Sequence, residues 1–455
     1  MFLPGVGHLV GSVGTFLSDL SLINEFGVST LDELKLFYTP ASGFSQSIGA
    51  TSVNGLQPTQ ALSLADVVKS VYNKDAEQGT LQIRSLDWAK LSLNANIFNI
   101  SDSRGTYGTS IPSFRGDRAL NAGQSLLLSG LRSSDKAHTN ILIQETSGAT
   151  ANFDVDFLAE DGTVVSSQSV HDSVPGFLLY RLINKVPPSA VAARITDRAD
   201  SAGRLVAYAT PVDDESGDFW SILDWNLQSG TDGSAPQVIP VAGTLRGANN
   251  NFFRTDVAIS NRGTGAGSGT LRFYYDGGQT VAEQKDFIFT PDRSNFLLTS
   301  RTFATQEGIK GTFGTGVPTI PISSSLYVGQ SRLIAGLEVA SPRTVGARTP
   351  ATFRTNLGLL ETSGKSASVR VTITYADIKG LSLAAGTRLT QKTYDMKPHE
   401  FLLPNVSQII AETNPTVGDL RNVQIEFRVV GGEGAVLVFT SSVDNGTADQ
   451  ILRTE

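Results

Sequence analysis

Along much of this chain apolar and polar residues alternate with a period of two, the spacing that puts successive side chains on opposite faces of a β-strand. In residues 253–261, Phe253, Thr255, Val257 and Ile259 fall on one face, and Arg254, Asp256, Ala258 and Ser260 on the other. The same design recurs at residues 16–22, 137–143 and 353–359: a short hydroxyl residue, then Asp or Asn, then alternating aliphatics. The hydroxyl residue (Ser18, Thr139, Thr255, Thr355) keeps to the inward face, where it can bond to backbone near the start of the strand. The outward residue before it varies among Leu, His and Arg. Constancy inside with drift outside describes a packing unit.

The four strands belong to a long internal duplication. Gly7 matches Gly243 at an offset of 236 (243 less 7), and Asp19 and residues 36–38 match Asp256 and residues 273–275 at 237 (256 less 19). Gly105-Thr106-Tyr107-Gly108-Thr109 matches Gly311-Thr312-Phe313-Gly314-Thr315 at 206 (311 less 105), so the second copy is shorter in between. Glu145-Thr146-Ser147-Gly148 matches Glu361-Thr362-Ser363-Gly364, and Val212-Asp213 matches Val443-Asp444. A period this long means tandem domains, not a solenoid. Each copy carries the strand design twice and is expected to hold two β-sandwiches. The predicted units are residues 1–112, 113–227, 236–319 (shortened, and leaning on its neighbours) and 320–455, with 228–235 as a flexible linker.

Three short helices are expected as crossovers: residues 64–72 with Ser63 as a cap, 406–412 capped by Asn405, and 179–185. The opening segment, residues 2–10, and the thinned third unit are the expected places for strand exchange.

Composition agrees with an all-β protein. Charged residues are only 17% of 455, while glycine reaches 45. The net charge of −7 with no basic stripe argues against nucleic acid as a partner. No apolar run is long enough for a membrane-spanning helix. Cysteine is absent, which excludes disulfides, thiol catalysis and zinc–thiolate sites. The first residues do not read as a signal peptide, and the expectation is a mature, exported chain.

The recurring Phe-Arg-Thr-Asp/Asn strands, the Ile239-Pro240 lead-in and the closing Ala207-Tyr208-Ala209-Thr210-Pro211-Val212-Asp213 strand resemble tandem immunoglobulin-like β-sandwich modules of bacterial secreted and cell-surface proteins. The resemblance implies an extracellular setting and supplies no catalytic residues. It lacks the cysteine pair of antibody-type domains, and Trp88, Trp220 and Trp225 do not recur between copies.

Candidate chemistry is sparse. His8, His138, His171 and His399 have no metal-ligand spacing, and no nucleophile elbow is present. Asp213, Asp214, Glu215 and Asp218 form the best calcium candidate, because alternate loop carboxylates suit a hard cation; a solvated acidic turn is the competing reading. Phe219, Trp220 and Trp225 suit either stacking on a sugar ring or packing at a domain junction. Arg115-Gly116-Asp117 reads as an integrin-type tripeptide or as a turn between domains. The expected function is non-catalytic: a rod, stalk, surface-layer or filament subunit that associates with itself or with other surface proteins, with edge-strand pairing as the expected route. The alternative is an adhesin or a glycan-binding accessory module.

Overall fold

The computed structural model describes residues 1–454 except 25–30, 42–47, 59, 86–90, 166–168, 225–235, 248–249, 262–266, 275–280, 282, 290–295, 343–352, 376–386 and 416–417. The chain is all-β, built from antiparallel sheets that pack as sandwiches. No described helix is long and apolar enough to cross a membrane.

In the first unit a single eight-stranded sheet folds back on itself. The corner is the strand Phe2–Gly11, whose first part pairs with Glu77–Ser85 and whose last residues pair with Gly14–Asn24. Its register shifts at Gly5, where φ is 86°, a conformation open to glycine. Leu3, Val6, Leu20, Leu22, Leu36 and Tyr38 fill the interior. The opening segment, the expected place for strand exchange, pairs with a neighbour on each side in this chain, and Phe2 also bridges to Phe114.

The second unit is a two-sheet sandwich. One sheet orders Leu179–Leu182, Ala137–Glu145 and Leu205–Asp213; the other orders Val170–Val174, Ala151–Leu158, Ala192–Asp197 and Ser125–Ser129. The fourth unit likewise sets Ser331–Val339, Leu420–Gly432, Ala367–Tyr375 and Thr387–Met396 against Phe401–Leu402, Phe353–Glu361, Val436–Asp444 and Gln450–Arg453. Each encloses a large apolar core. The third unit is slighter: a sheet of Thr244–Arg246, Phe252–Asn261, Phe296–Thr305 and Phe313–Val317, with a separate hairpin, Gly267–Phe273 with Glu283–Phe289. Among the described residues no apolar cluster belongs to it alone; Phe253, Ala304 and Phe313 pack with Tyr107 and Ala448 of other units.

The four-fold strand has the expected phase throughout. Leu20, Leu22, Ile141, Ile143, Leu357 and Leu359 are buried, whereas Phe253, Thr255, Val257 and Ile259 are half-buried. The inward hydroxyl has one role in all four copies. Ser18 accepts from Gly7 N at 2.9 Å, Thr255 from Gly243 N at 3.1 Å and Thr139 from Arg132 N at 2.9 Å, while Thr355 donates to the Glu338 carbonyl at 2.6 Å. Each bond ties the strand to the strand or loop before it, and the partners fall at matching positions of the duplication.

Helix Val406–Thr413 forms as expected, with the Asn405 side chain accepting from Ser407 N and Gln408 N. Helix Val67–Tyr72 starts later than expected, at Asp66 and not Ser63. The Asp66 N–H donates to Asp19 and its carboxylate meets His8 Nδ1 at 2.7 Å. Residues 179–182 form a strand, not a helix. Leu179 and Leu182 have helical spacing, but the free edge of Ile141–Gln144 supplies a ladder and takes them.

Candidate functional site

The acidic turn after the strand Leu205–Asp213 is a clamp on the other half of the molecule. Asp213 Oδ1 accepts from Glu215 N and Ser216 N, both at 3.0 Å, which closes the turn. Asp213 Oδ2 accepts from Thr312 N at 2.9 Å and from the Thr312 hydroxyl at 2.7 Å. The Ser216 hydroxyl donates to the Thr312 carbonyl at 2.6 Å, and Asp218 Oδ2 accepts from Gly314 N at 2.8 Å. Burial works against the charge on Asp213, but the bonds from Thr312, Ser216 and Glu215 outweigh it and hold its pKa below the ordinary value.

The same clamp occurs again, with the units exchanged. Asp444 Oδ1 accepts from Gly446 N and Thr447 N at 2.7 and 3.0 Å. Its Oδ2 accepts from Thr106 N at 3.2 Å and the Thr106 hydroxyl at 2.9 Å. The Thr447 hydroxyl donates to the Thr106 carbonyl at 2.6 Å, and Asp449 Oδ2 accepts from Gly108 N at 2.7 Å. The second unit thus holds the third, and the fourth holds the first. The two gripped loops lie together, with the Tyr107 and Phe313 rings 6.2 Å apart.

One feature is not repeated. Arg301 Nη2 donates to Asp218 at 2.9 Å, and its guanidinium lies 3.6 Å from the centre of the Trp220 ring. Arg301 pairs with Gly316 in its ladder, and the residue opposite the matching Ser110 in the first unit is Asn96. Asp449 is therefore buried with no arginine bonded to it, and its Oδ1 has no hydrogen-bond partner. Burial, and then the nearness of Asp218, push its pKa well above the ordinary range.

The structure places every expected site residue except Trp225. Asp213 and Asp218 grip backbone. Asp214 pairs with His138 Nδ1 at 2.6 Å, and Glu215 with Lys136 at 3.0 Å. The calcium candidate thus has a separate protein partner for every carboxylate, and among the described residues no group of three or more His, Asp or Glu is placed to hold a metal ion. Phe219 and Trp220 are buried at the junction, Phe219 edge-on to Phe16 at 5.4 Å. Trp225 and the linker 228–235 lie outside the described residues. Arg115 and Asp117 pair with each other at 2.6 Å on an exposed turn.

Sequence reasoning missed the gripped partners Thr106, Gly108, Thr312 and Gly314, together with Arg301 and Asp449. The signal was present as the repeated Gly-Thr-aromatic-Gly-Thr motif, but a motif that offers main-chain N–H groups announces no chemistry. Glu145 and Glu361 are a similar case. Both are buried, and each accepts from backbone N–H groups of its own Ser-Gly turn and of Phe177 or His399.

No protein family model matches this chain, and no curated protein matches it. Among solved structures it is similar to the infectious bursal disease virus VP2 subviral particle at 9% identity and a TM-score of 0.14, covering 98% of this chain and 76% of that one. The T13 particle of the same virus gives 8% identity and a TM-score of 0.13, with 96% and 70% covered. Scores this low do not indicate a shared fold.

Proposed function

We propose that the protein is a non-catalytic structural subunit of an extracellular assembly, a building block of a surface layer or filament. The observation that carries this reading is the paired clamp. The two halves of the duplication close on each other through equivalent contacts, which makes a self-braced block out of the four units. Its polar side chains support the reading. The buried carboxylates hold loops in place, and His8, His138 and His171 meet aspartates at separate points of the molecule, His8 two of them and the others one each. The charge-poor, cysteine-free composition and the β-sandwich repeat suit an exported chain. Electron microscopy and light scattering of concentrated protein test the reading. Ordered sheets or filaments are expected; dispersed monomers under all conditions overturn it.

A further inference from the structure

Among the described residues the two halves, 1–224 and 236–454, share no sheet, and every described ladder and isolated bridge joins strands of the same half. Both ends at the junction are anchored in their own half: Leu127 N donates to Asp224, and Ile322 N to the Pro236 carbonyl. The halves therefore meet as two finished surfaces, joined covalently only through residues 225–235, a stretch rich in Gly and Ser.

The clamps act mainly on main-chain atoms and a threonine hydroxyl. The loops Gly105–Gly108 and Gly311–Gly314 present the same atoms, and they accept the same turn with distances that agree to within a few tenths of an ångström. Nothing in either contact requires that both halves come from one chain. A short covalent tether makes the internal pairing favoured in dilute solution, because it fixes an effective concentration on the order of millimolar. It does not make the pairing unique.

We propose that two copies of the chain exchange halves, the first half of one docking on the second half of the other through the same two clamps. Exchange within a pair gives a closed dimer with every contact satisfied. Exchange carried on from chain to chain gives an open string. This deepens the reading of the protein as a subunit, since it names a second copy as the partner and the internal junction as the contact.

The chain has no cysteine, so engineered thiols are unambiguous. The Ser129 and Ser260 hydroxyls are hydrogen-bonded across the junction. In full-length protein, S129C and S260C together form an internal disulfide if the halves dock as described. S129C and S260C placed in separate full-length chains, unfolded, mixed and refolded at rising concentration, form a disulfide only when halves are exchanged. The expected result is a band at twice the monomer mass on a non-reducing gel. It increases with concentration and is absent when either variant is refolded alone. The proposal is overturned if the double variant closes its bond while the mixture stays monomeric at every concentration, or if the double variant forms no bond. Monomers in the gel alongside ordered assemblies in the microscope would remove exchange and leave the subunit reading. Exchanged dimers with no ordered assembly would support exchange and remove that reading.

Discussion

Asp449 holds in the second half the place that Asp218 holds in the first, yet only Asp218 has an arginine against it. Both carboxylates are buried, and each accepts one backbone N–H from its gripped loop through Oδ2. Burial raises both carboxyls, Asp218 to about 7 and Asp449 well above the ordinary range, and the charge of Arg301 opposes the rise at Asp218 alone.

A carboxyl whose pKa is raised by folding binds its proton more tightly in the folded state. Its contribution to stability is fully present below the unfolded value, about 4, and is lost as pH rises through the folded value. Asp449 acts in this sense, and so does Glu338, pushed up to about 7 by burial. The melting temperature is therefore higher at about pH 5.5 than at about pH 8. The D449N variant has no such proton to lose and narrows that difference; an unchanged difference would place the proton elsewhere.

Removing Arg301 leaves the buried Asp218 carboxyl without its cation. At about pH 8 R301M is expected to cost about 3–5 kcal/mol in urea unfolding, the range for breaking a buried ion pair. Adding D218N removes the orphaned carboxyl, so the double variant recovers much of the loss. Strictly additive costs would show that the pair is not coupled.

The inward hydroxyls provide an internal calibration. Valine keeps the shape of threonine and removes the bond. T139V leaves the Arg132 N–H without its acceptor inside a buried site and is expected to cost about 1–3 kcal/mol. T255V, at a half-buried position, should cost less. Equal losses at the two positions would contradict the difference in burial.

Because the halves dock as finished surfaces, cutting the covalent link should not separate them. A protease site inserted between residues 225 and 235 and then cleaved is expected to leave one species of native size on gel filtration. D213A combined with D444A should make the nicked protein dissociate into two fragments. Separation of the nicked wild-type chain would show that the clamps do not hold the halves.

Much of the fold was legible because it rests on a period of two and on punctuation. Alternation located the four inward faces, and the repeated Ser or Thr announced its backbone bond before the partner was visible. Residues 179–185 misled because the spacing of Leu179 and Leu182 is helical; in the strand that forms on the edge of Ile141–Gln144 they fall on opposite faces, Leu182 in the main core of its unit and Leu179 in a separate cluster with Leu142. The clamp was legible as repetition but not as contact. Asp444 and Thr106 are far apart in the chain, and an aspartate that accepts main-chain N–H groups looks, in sequence, like any acidic turn. Arg301 could not have been found from the duplication at all, since its ladder counterpart is Asn96.

The last strand, Gln450–Arg453, packs beside Tyr107–Ser110 of the first unit, and Ile451 lies against Phe98 and Phe353. The first and last described strands thus lie in units latched directly to each other. Tension applied between those strands reaches the Asp444–Thr106 latch before it reaches the covalent link between the halves, so the load path bypasses that link. Four sandwiches in a line would lengthen at their linkers under pull; this chain behaves as a closed hasp that stays short until its latch opens.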